Sequence, residues 1–248
     1  MAQRPIFMPE FRDGTIREEL VAFEWFPGFS VQQKQRSIRS LHSAAAEQFG
    51  WTPNFILELS TKSHQRLGAS LSAFNLTLPR PNWYFEQYPD SPQYLSLESI
   101  YQGSKVFAEG QGPHLELYQY SPRDAKRFMT DHGLRTEPPV AFRYGAEEWS
   151  ALQGKTSFYD YLYLKALQYA ENEGAVDLSR LGDAKAFTDI EFNPQRSLNC
   201  QARSCALYVV LGQRRLLNDA VADLESFIEI ENDLERLALQ PTQLQLAI

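Results

Sequence analysis

The 248-residue sequence contains little cysteine and no long apolar run. Its two cysteines, Cys200 and Cys205, are five positions apart in a segment that reads as a helix, so their side chains point in different directions and a disulfide between them is not expected. No stretch approaches the roughly 18 apolar residues of a membrane span, and no apolar run follows Met1 as in a secretory signal. These features predict a cytoplasmic protein with reduced thiols and no membrane partner.

Metal-binding and phosphate-loop motifs are also missing. The four histidines (His42, His64, His114 and His132) are scattered without paired spacing, so the sequence predicts no metal site and no cofactor. The patterns G-x-x-x-x-G-K-[ST], G-x-G-x-x-G and G-x-S-x-G do not occur. The net charge of −7 argues against a protein that coats nucleic acid through charge alone, but it leaves room for a local basic surface.

The predicted secondary structure is α+β and predominantly helical. Ser30 and Gln33 form a capping-box pattern at the start of a helix that stops near Gly50. Residues 55–59 and 71–78 favour strands and predict a two-stranded ribbon, and residues 79–94 read as an irregular surface loop. Further elements are predicted as helices from Ser96 to about Phe107, from Ser121, from Thr156 to Tyr169 and from Ser197, a strand over 186–192, and two acidic helices at the C-terminus.

The helix predicted near residue 31 carries the clearest basic strip, which includes Lys34, Arg36 and Arg39. Two interpretations remain open: the strip is either a solvated helix face or a surface that contacts phosphates.

The segment 97–107 is the most informative for chemistry. On a helix, Glu98, Tyr101, Gln102 and Lys105 fall at positions i, i+3, i+4 and i+7 and project from one face. They could form the polar wall of a pocket. Alternatively, they are a surface ladder whose pairs contribute a few tenths of a kcal/mol, roughly 0.3 each.

A second candidate lies near residue 189. Strand alternation predicts that Asp189 and Glu191 share one face, either beside a scissile bond or in solvent. In the helix that follows, Asn199 and Arg203 are four positions apart and could form part of a phosphate-binding site.

Several of these segments resemble the NADAR family, whose helix pattern is roughly Ser-x-Glu-His-Tyr-x-Gln-Ala-x-Lys-Phe. Ser96, Glu98, Tyr101, Gln102 and Lys105 can be laid on it, with Ser99 in place of the usual histidine and a slip of one position near Tyr101. Other landmarks follow the family's order over about residues 55–215: the segment Leu71-Ser-Ala-Phe74, with Ala73 where the family often has asparagine, the segment from Ser121 to Lys126, Trp149, Asp189 and Asn199.

The resemblance also implies a function. Residues 23–29, followed by the basic helix, resemble the version of the family encoded beside DarT-type DNA ADP-ribosyltransferase toxins. Those proteins are antitoxins that hydrolyse the bond between ADP-ribose and guanine in DNA. The implied protein is therefore a metal-independent glycohydrolase of the NADAR fold, with ADP-ribosylated DNA and a DarT-type toxin as partners. Its implied organisation is an N-terminal extension over 1–50 with the basic helix, and a catalytic core over 51–248 that includes the small strand ribbon and the acidic C-terminal helices.

The resemblance implies roles for individual residues. Lys105 is expected to attack the opened sugar as an amine nucleophile, Glu98 to shuttle the proton, and Asp189 to stabilise positive charge or orient water. Phe74 or Trp149 would stack on a base. The remaining substrate-binding positions are Ser72, Tyr101, Gln102, Asn199 and Arg203, and the positions implied to contact nucleic acid are Lys34, Arg36 and Arg39.

Two other functions remain open. The chain could be an N-glycosidase of small phosphorylated intermediates of the riboflavin pathway. It could also be a non-catalytic antitoxin that binds ADP-ribose or blocks its toxin by contact. The aromatic and basic segment over residues 1–50 favours a macromolecular substrate, because a small-molecule enzyme has little use for it.

Overall fold

The computed structural model describes residues 1–151, 156–195, 197 and 199–239, so the last part of the predicted core, 240–248, lies outside the described residues. The strands are Ala2–Glu10 (β1), Thr15–Phe23 (β2), Ile56–Glu58 (β3), Thr77–Pro79 (β4), Tyr94–Ser96 (β5), Lys105–Val106 (β6), Ala141–Tyr144 (β7), Glu147–Ser150 (β8) and Ala186–Thr188 (β9). The helices are Val31–Phe49 (α1), Arg66–Ser70 (α2), Asn82–Gln87 (α3), Leu97–Gly103 (α4), Pro122–Asp131 (α5), Ser157–Asn172 (α6), Gln201–Arg214 (α7), Leu217–Ala220 (α8) and Leu224–Leu239 (α9).

A four-stranded sheet in the order β2-β1-β9-β3 organises the molecule. Strands β1 and β2 form a long antiparallel hairpin, which Gly14 closes with a positive φ of 63°. Strand β1 meets β9 at Phe7 and Phe187, and β3 runs parallel to β9 with Leu57 opposite Phe187. The segment predicted as an N-terminal extension therefore supplies two strands of the central sheet.

Side-chain alternation along these strands separates two apolar layers. Ile6 and Met8 of β1 face α1, where they pack with Ile38 and Leu41. Phe7, between them, points to the opposite face and joins the larger core. Helix α1 starts with the predicted capping box, in which Ser30 Oγ accepts a hydrogen bond from the Gln33 backbone N–H. The sheet is thus covered by α1 on one face and by the helical bulk on the other.

Helices α6 and α7 form the centre of the larger core. The predicted start of α6 after Thr156 is confirmed, and Ser121 caps α5 with Pro122 at its first position, also as predicted. The predicted start of α7 at Ser197 is wrong, since the helix begins at Gln201. Among the described residues, no helix is both long and apolar enough to cross a membrane.

Three strand and loop predictions need correction. The segments 55–59 and 71–78 do not pair, because β3 pairs with β9 and residues 71–76 turn, with the Ser72 carbonyl accepting from the backbone N–H groups of Asn75 and Leu76. The loop 79–94 contains α3, whose Tyr84 is fully buried. The strand predicted over 186–192 stops at Thr188. Long-range pairing, which local propensity does not report, decided the partner of β3.

Helix α4 ends at Gly103 rather than near Phe107, and the chain continues as strand β6 of a three-stranded sheet with β7 and β8. Gly103 is needed at this point because a Cβ there would lie 2.7 Å from the carbonyl oxygen of His114. Lys105 therefore belongs to a strand, where it pairs with Phe142.

Candidate active site

Helix α4 is enclosed by the protein and carries the centre of the candidate site. Glu98, Tyr101 and Gln102 are 5%, 8% and 7% exposed, and the backbone N–H of Leu97 donates to the carbonyl of Leu76. The interpretation of this segment as a surface helix is therefore wrong. Its polar side chains are inside the molecule, where each needs a partner.

These partners form a continuous polar chain, here called the amine–carboxylate chain: Lys105, Gln102, Glu98 and Lys126. Lys105 Nζ donates to Gln102 Oε1 at 2.8 Å, and Gln102 Nε2 donates to Glu98 Oε1 at 2.7 Å. The ammonium of Lys126, on α5, lies 3.2 Å from the same carboxylate oxygen. Two amines thus flank one buried carboxylate, with an amide between the carboxylate and Lys105.

Lys105 is the less exposed of the two amines. It is partly buried, and its Nζ lies 4.7 Å from the centre of the Tyr101 ring. Burial lowers the pKa of Lys105 to about 8; Lys126 acts in the same direction and Glu98 opposes both. Roughly a tenth of the molecules then carry a neutral, nucleophilic amine at pH 7.

Asp189 follows directly after β9 and is held by two hydrogen bonds. Its Oδ1 accepts from the Glu191 backbone N–H at 2.9 Å, and its Oδ2 accepts from Gln201 Nε2 at 2.9 Å. Burial raises the pKa of Asp189 to about 6, whereas Lys126 lowers it. The positive charge of Lys126 therefore acts on both candidate carboxylates, Glu98 and Asp189.

The predicted same-face pair of acids is separated in the structure. Because the strand ends before Asp189, the two side chains no longer alternate, and Glu191 is exposed. Glu191 forms an ion pair with Lys34 of α1 at 3.2 Å. Asp189 alone remains as the candidate acid of this segment.

Asn199 reaches the site through Tyr101. Its Nδ2 donates to the phenol oxygen of Tyr101, while its Oδ1 is buried and has no hydrogen-bond partner among the described residues. Tyr101 itself stacks on Phe142, with ring centres 5.4 Å apart. An unpaired buried carbonyl beside an aromatic floor is a suitable acceptor for a ligand hydroxyl.

A groove opens beside Phe74; the ring of Phe74 contacts Lys126, but the groove is not lined by any residue of the amine–carboxylate chain. Phe74 is 37% exposed at its edge, with Lys126 Nζ 4.5 Å above the ring centre. Ser72 is buried beneath, and its Oγ lies 3.5 Å from the Phe74 backbone nitrogen. The groove has a volume of about 460 Å³ and is lined by Thr61, Phe74, Asn75, Ser121, Pro122, Arg123, Asp124 and Arg127.

Two predicted substrate-binding residues make other contacts: Trp149 lies in the core, and partly buried Arg203 pairs with acids. Trp149 is 3% exposed and packs against Phe158 and Tyr161, with ring centres 5.3 and 4.9 Å away. Arg203 pairs with Asp160 and lies 3.8 Å from Glu231. The Trp149 ring packs against α6 and offers no free face to a substrate. The charge of Arg203 is compensated by Asp160 and Glu231.

The basic strip of α1 is accompanied by aromatic rings. The guanidinium of Arg36 lies 4.1 Å from the centre of the Phe26 ring, and Arg39 Nη1 lies 2.9 Å from His64 Nε2. Lys34 lies 4.9 Å from the Trp25 ring in addition to its ion pair with Glu191. A shallow pocket of about 270 Å³ lies between Phe26, Arg36, Arg39, Ser40 and Ser43.

Sequence reasoning missed the roles of two residues. Lys126 was a motif landmark without a function, although the cap at Ser121 fixes the helix that carries it. Gln201 had no sequence signal: its Oε1 accepts from the Ala73 backbone N–H at 2.8 Å while its Nε2 donates to Asp189, so it joins the Phe74 loop to the carboxylate. Within the described part of the chain, no group of three His, Cys, Asp or Glu side chains is arranged to hold a metal ion.

A family model described as DarT1-associated NADAR antitoxin matches residues 2–238. The chain belongs to this family. The family resemblance predicted from the sequence is therefore confirmed, and the match includes the strands β1 and β2 that complete the central sheet. Membership makes the chain an antitoxin associated with a DarT-type toxin. No curated protein matches the chain.

Proposed function

We propose that this antitoxin is a hydrolase that removes ADP-ribose from modified guanine in DNA. The observation that carries the proposal is the state of Lys105, a partly buried amine that an amide holds beside a buried carboxylate. Lysines with a structural role normally keep their ammonium in solvent or paired directly with an acid. Lys105 contacts the amide of Gln102 instead, which leaves its charge only partly compensated.

The bond to be broken joins the anomeric carbon of the ribose to a nitrogen of the base. When the ribose ring opens, this linkage becomes an imine, and the neutral amine of Lys105 adds to its carbon. The resulting carbon carries two nitrogens. The base nitrogen then leaves as an amine, after gaining the proton that the nitrogen of Lys105 loses, and a Schiff base to Lys105 remains.

Water completes the reaction by adding to the Schiff base carbon. The amine of Lys105 departs, and the aldehyde closes to free ADP-ribose, so the net change is hydrolysis of one C–N bond. Glu98 shuttles the proton between the two nitrogens, because its carboxylate is one hydrogen bond from Gln102 and one ion pair from Lys126. Asp189, ionised above about pH 6, stabilises the cationic intermediate and orients the water.

Substrate recognition is assigned to the groove and the aromatic floor. Phe74 stacks on the base at the edge of the groove. The unpaired carbonyl of Asn199 and the amide of Gln102 hold ribose hydroxyls beside Tyr101. On α1, Arg36 and Arg39 contact DNA phosphates, while Lys34 has a weaker role because Glu191 already neutralises it.

The experiment uses an oligonucleotide that carries ADP-ribose on guanine, with thymine-linked ADP-ribose as the comparison and no added metal. The expected result is free ADP-ribose and an unmodified guanine strand. Addition of borohydride during turnover should reduce the Schiff base and attach the sugar covalently to Lys105, as located by peptide mass spectrometry. Binding without release would identify a non-catalytic reader of ADP-ribose. Release from small phosphorylated N-glycosides alone would identify the small-molecule glycosidase.

A further inference from the structure

A second buried polar chain, formed by Glu58, Thr188 and His42, lies close to Asp189. Glu58, the last residue of β3, is 1% exposed and sits close to the backbone of α2, where a Cβ on Gly68 would lie 1.9 Å from the Glu58 carbonyl oxygen. Glu58 Oε1 accepts a hydrogen bond from the Ile190 backbone N–H at 2.9 Å. Glu58 Oε2 lies 2.7 Å from Thr188 Oγ1, which in turn lies 2.9 Å from His42 Nε2 of α1.

These contacts occur where strand β9 ends. Ile190 carries the first backbone N–H after Asp189, and it bonds to the Glu58 side chain instead of a neighbouring strand. The chain therefore turns at Asp189, and the Asp189 carboxylate meets Gln201 instead of continuing the strand. A strand that simply continued would place residue 189 in the sheet ladder.

We infer that Glu58 is a positioning residue for Asp189, acting through the Ile190 amide, and that Thr188 and His42 hold the Glu58 carboxyl group in place. The inference rests on the proposed function, because it deepens the role given there to Asp189. Glu58 does not touch the substrate in this assignment.

The hydroxyl of Thr188 has a single proton, so the chain has two possible arrangements. In the first, a neutral Glu58 donates to Thr188, and Thr188 donates to an unprotonated Nε2 of His42. In the second, Thr188 donates to an ionised Glu58, and His42 donates to Thr188. The heavy-atom distances suit both arrangements.

Burial selects the first arrangement at neutral pH. Burial raises the pKa of Glu58 to about 8, and the negative charge of Asp189 acts in the same direction, whereas bonds from Ile190, Ser60 and Thr188 oppose it. Burial also lowers the pKa of His42 to about 4, with a smaller contribution from the nearby His64. Neither group is then charged.

Asp189 therefore carries the single negative charge of the pair. The charged groups that act on it are Lys126 and Arg4, which favour that charge, and Glu191, which opposes it. Two neighbouring carboxyl groups with separated pKa values divide the work between an anion and a neutral hydrogen-bond donor, which is a common arrangement in active sites.

The first test compares Glu58→Gln with Glu58→Leu. Glutamine reproduces the neutral arrangement: its carbonyl accepts from Ile190, and its amide donates to Thr188. Leucine has similar volume but loses the anchor. The measurement is the pKa of Asp189, followed by NMR of ¹³C-labelled Asp carboxyl groups and assigned with Asp189→Asn. We expect a pKa near that of the wild type in the Gln variant and one at least one unit closer to an ordinary aspartate in the Leu variant. Equal titration of Asp189 in both folded variants would overturn the inference.

The second test uses activity on the modified oligonucleotide and needs only the Gln variant, in case the Leu variant does not fold. The ratio of kcat for Glu58→Gln to kcat for wild type should stay within twofold of one from pH 6 to 7.5. It should then rise at least threefold by pH 9, because in the wild type alone the ionised Glu58 repels the Asp189 carboxylate from its position at Gln201. A ratio that is constant over the whole range contradicts the inference. A wild-type protein that releases no ADP-ribose refutes the proposed function instead, and the NMR comparison still decides the role of Glu58.

Discussion

Two partly buried cations in this protein have pKa shifts of opposite sign. Arg203 lies in what we call the helix clamp (Arg203, Asp160 and Glu231), and Asp160 raises the pKa of Arg203 more than burial lowers it. Lys105 lies in the amine–carboxylate chain, and there burial lowers the pKa to about 8 because its direct partner is a neutral amide. A carboxylate in direct contact keeps a partly buried cation protonated. An amide between the cation and the carboxylate weakens that effect, so the cation loses its proton more readily. The amine–carboxylate chain is suited to the proposed reaction. The helix clamp is suited to holding α6, α7 and α9 together.

Removal of the Lys105 amine should have the largest effect. Lys105→Ala is expected to lower kcat on ADP-ribosylated DNA by about 10³-fold or more, because the nucleophile is lost while the carboxylates remain. The matched control is Lys165→Ala. Lys165 is also partly buried, donates to Tyr161 at 2.9 Å and lies 4.8 Å from that ring centre, but it has no amide–carboxylate chain. Similar losses in both variants would contradict the distinction made between a reactive and a structural amine.

The opposite experiment breaks the clamp. Arg203→Met should destabilise the fold by about 3 kcal/mol in urea unfolding, because Asp160 and Glu231 are left without their cation. The kcat of the folded fraction should stay within about threefold of the wild type, since the substrate is not expected to touch the clamp. A folded Arg203→Met protein with a large rise in KM would return Arg203 to the substrate-binding set.

The two clusters also mark what the sequence could and could not predict. Spacing placed Glu98, Tyr101 and Gln102 on one helix face correctly, because short-range periodicity follows from helix geometry alone. It could not predict that the helix is buried or that Lys105 lies on a strand, since both depend on β7 and on Tyr118 packing against Gly103. The pairing of Arg203 with acids 43 and 28 residues away in the chain left no local signal either. Only the resemblance to the family connected Asp189 with Glu98.

Glu98→Gln tests the carboxylate of the amine–carboxylate chain. The amide keeps the size of the side chain but cannot shuttle a proton or pair with Lys126, so kcat should fall by about 10²-fold. The fold should be retained, as judged by the circular dichroism spectrum and the midpoint of thermal unfolding. Full activity in this variant would show that the proton follows another route.

The pH dependence provides a smaller and more specific effect. The proposed reaction needs Lys105 neutral and Asp189 ionised, and their pKa values lie at about 8 and about 6. Activity should therefore rise about tenfold per pH unit from 6 to 8 as Lys105 loses its proton, and more steeply below 6, where Asp189 is also protonated. In Asp189→Asn, the steeper part below pH 6 should disappear. A profile that falls between pH 6 and 8 would mean that Lys105 acts as an ammonium.

The smallest effect concerns cations that lie outside both clusters. Arg36 and Arg39 on α1 contact a ring and a histidine, without a carboxylate among the described residues, so their charges remain available to phosphates. The double variant Arg36→Ala, Arg39→Ala should weaken oligonucleotide binding about tenfold. It should also lower the slope of log affinity against log salt by about 1.5, because two phosphate contacts are lost.

Lys34→Ala is the control for this surface, since Lys34 already pairs with Glu191 at 3.2 Å and should have little charge to offer. Its salt slope should change by less than half as much as that of the double variant. Cleavage of a free nucleoside adduct should be unaffected in all three proteins, since that substrate has no flanking phosphates. If Lys34→Ala altered the salt slope as much as the double variant, the ion pair with Glu191 would not prevent Lys34 from binding phosphate.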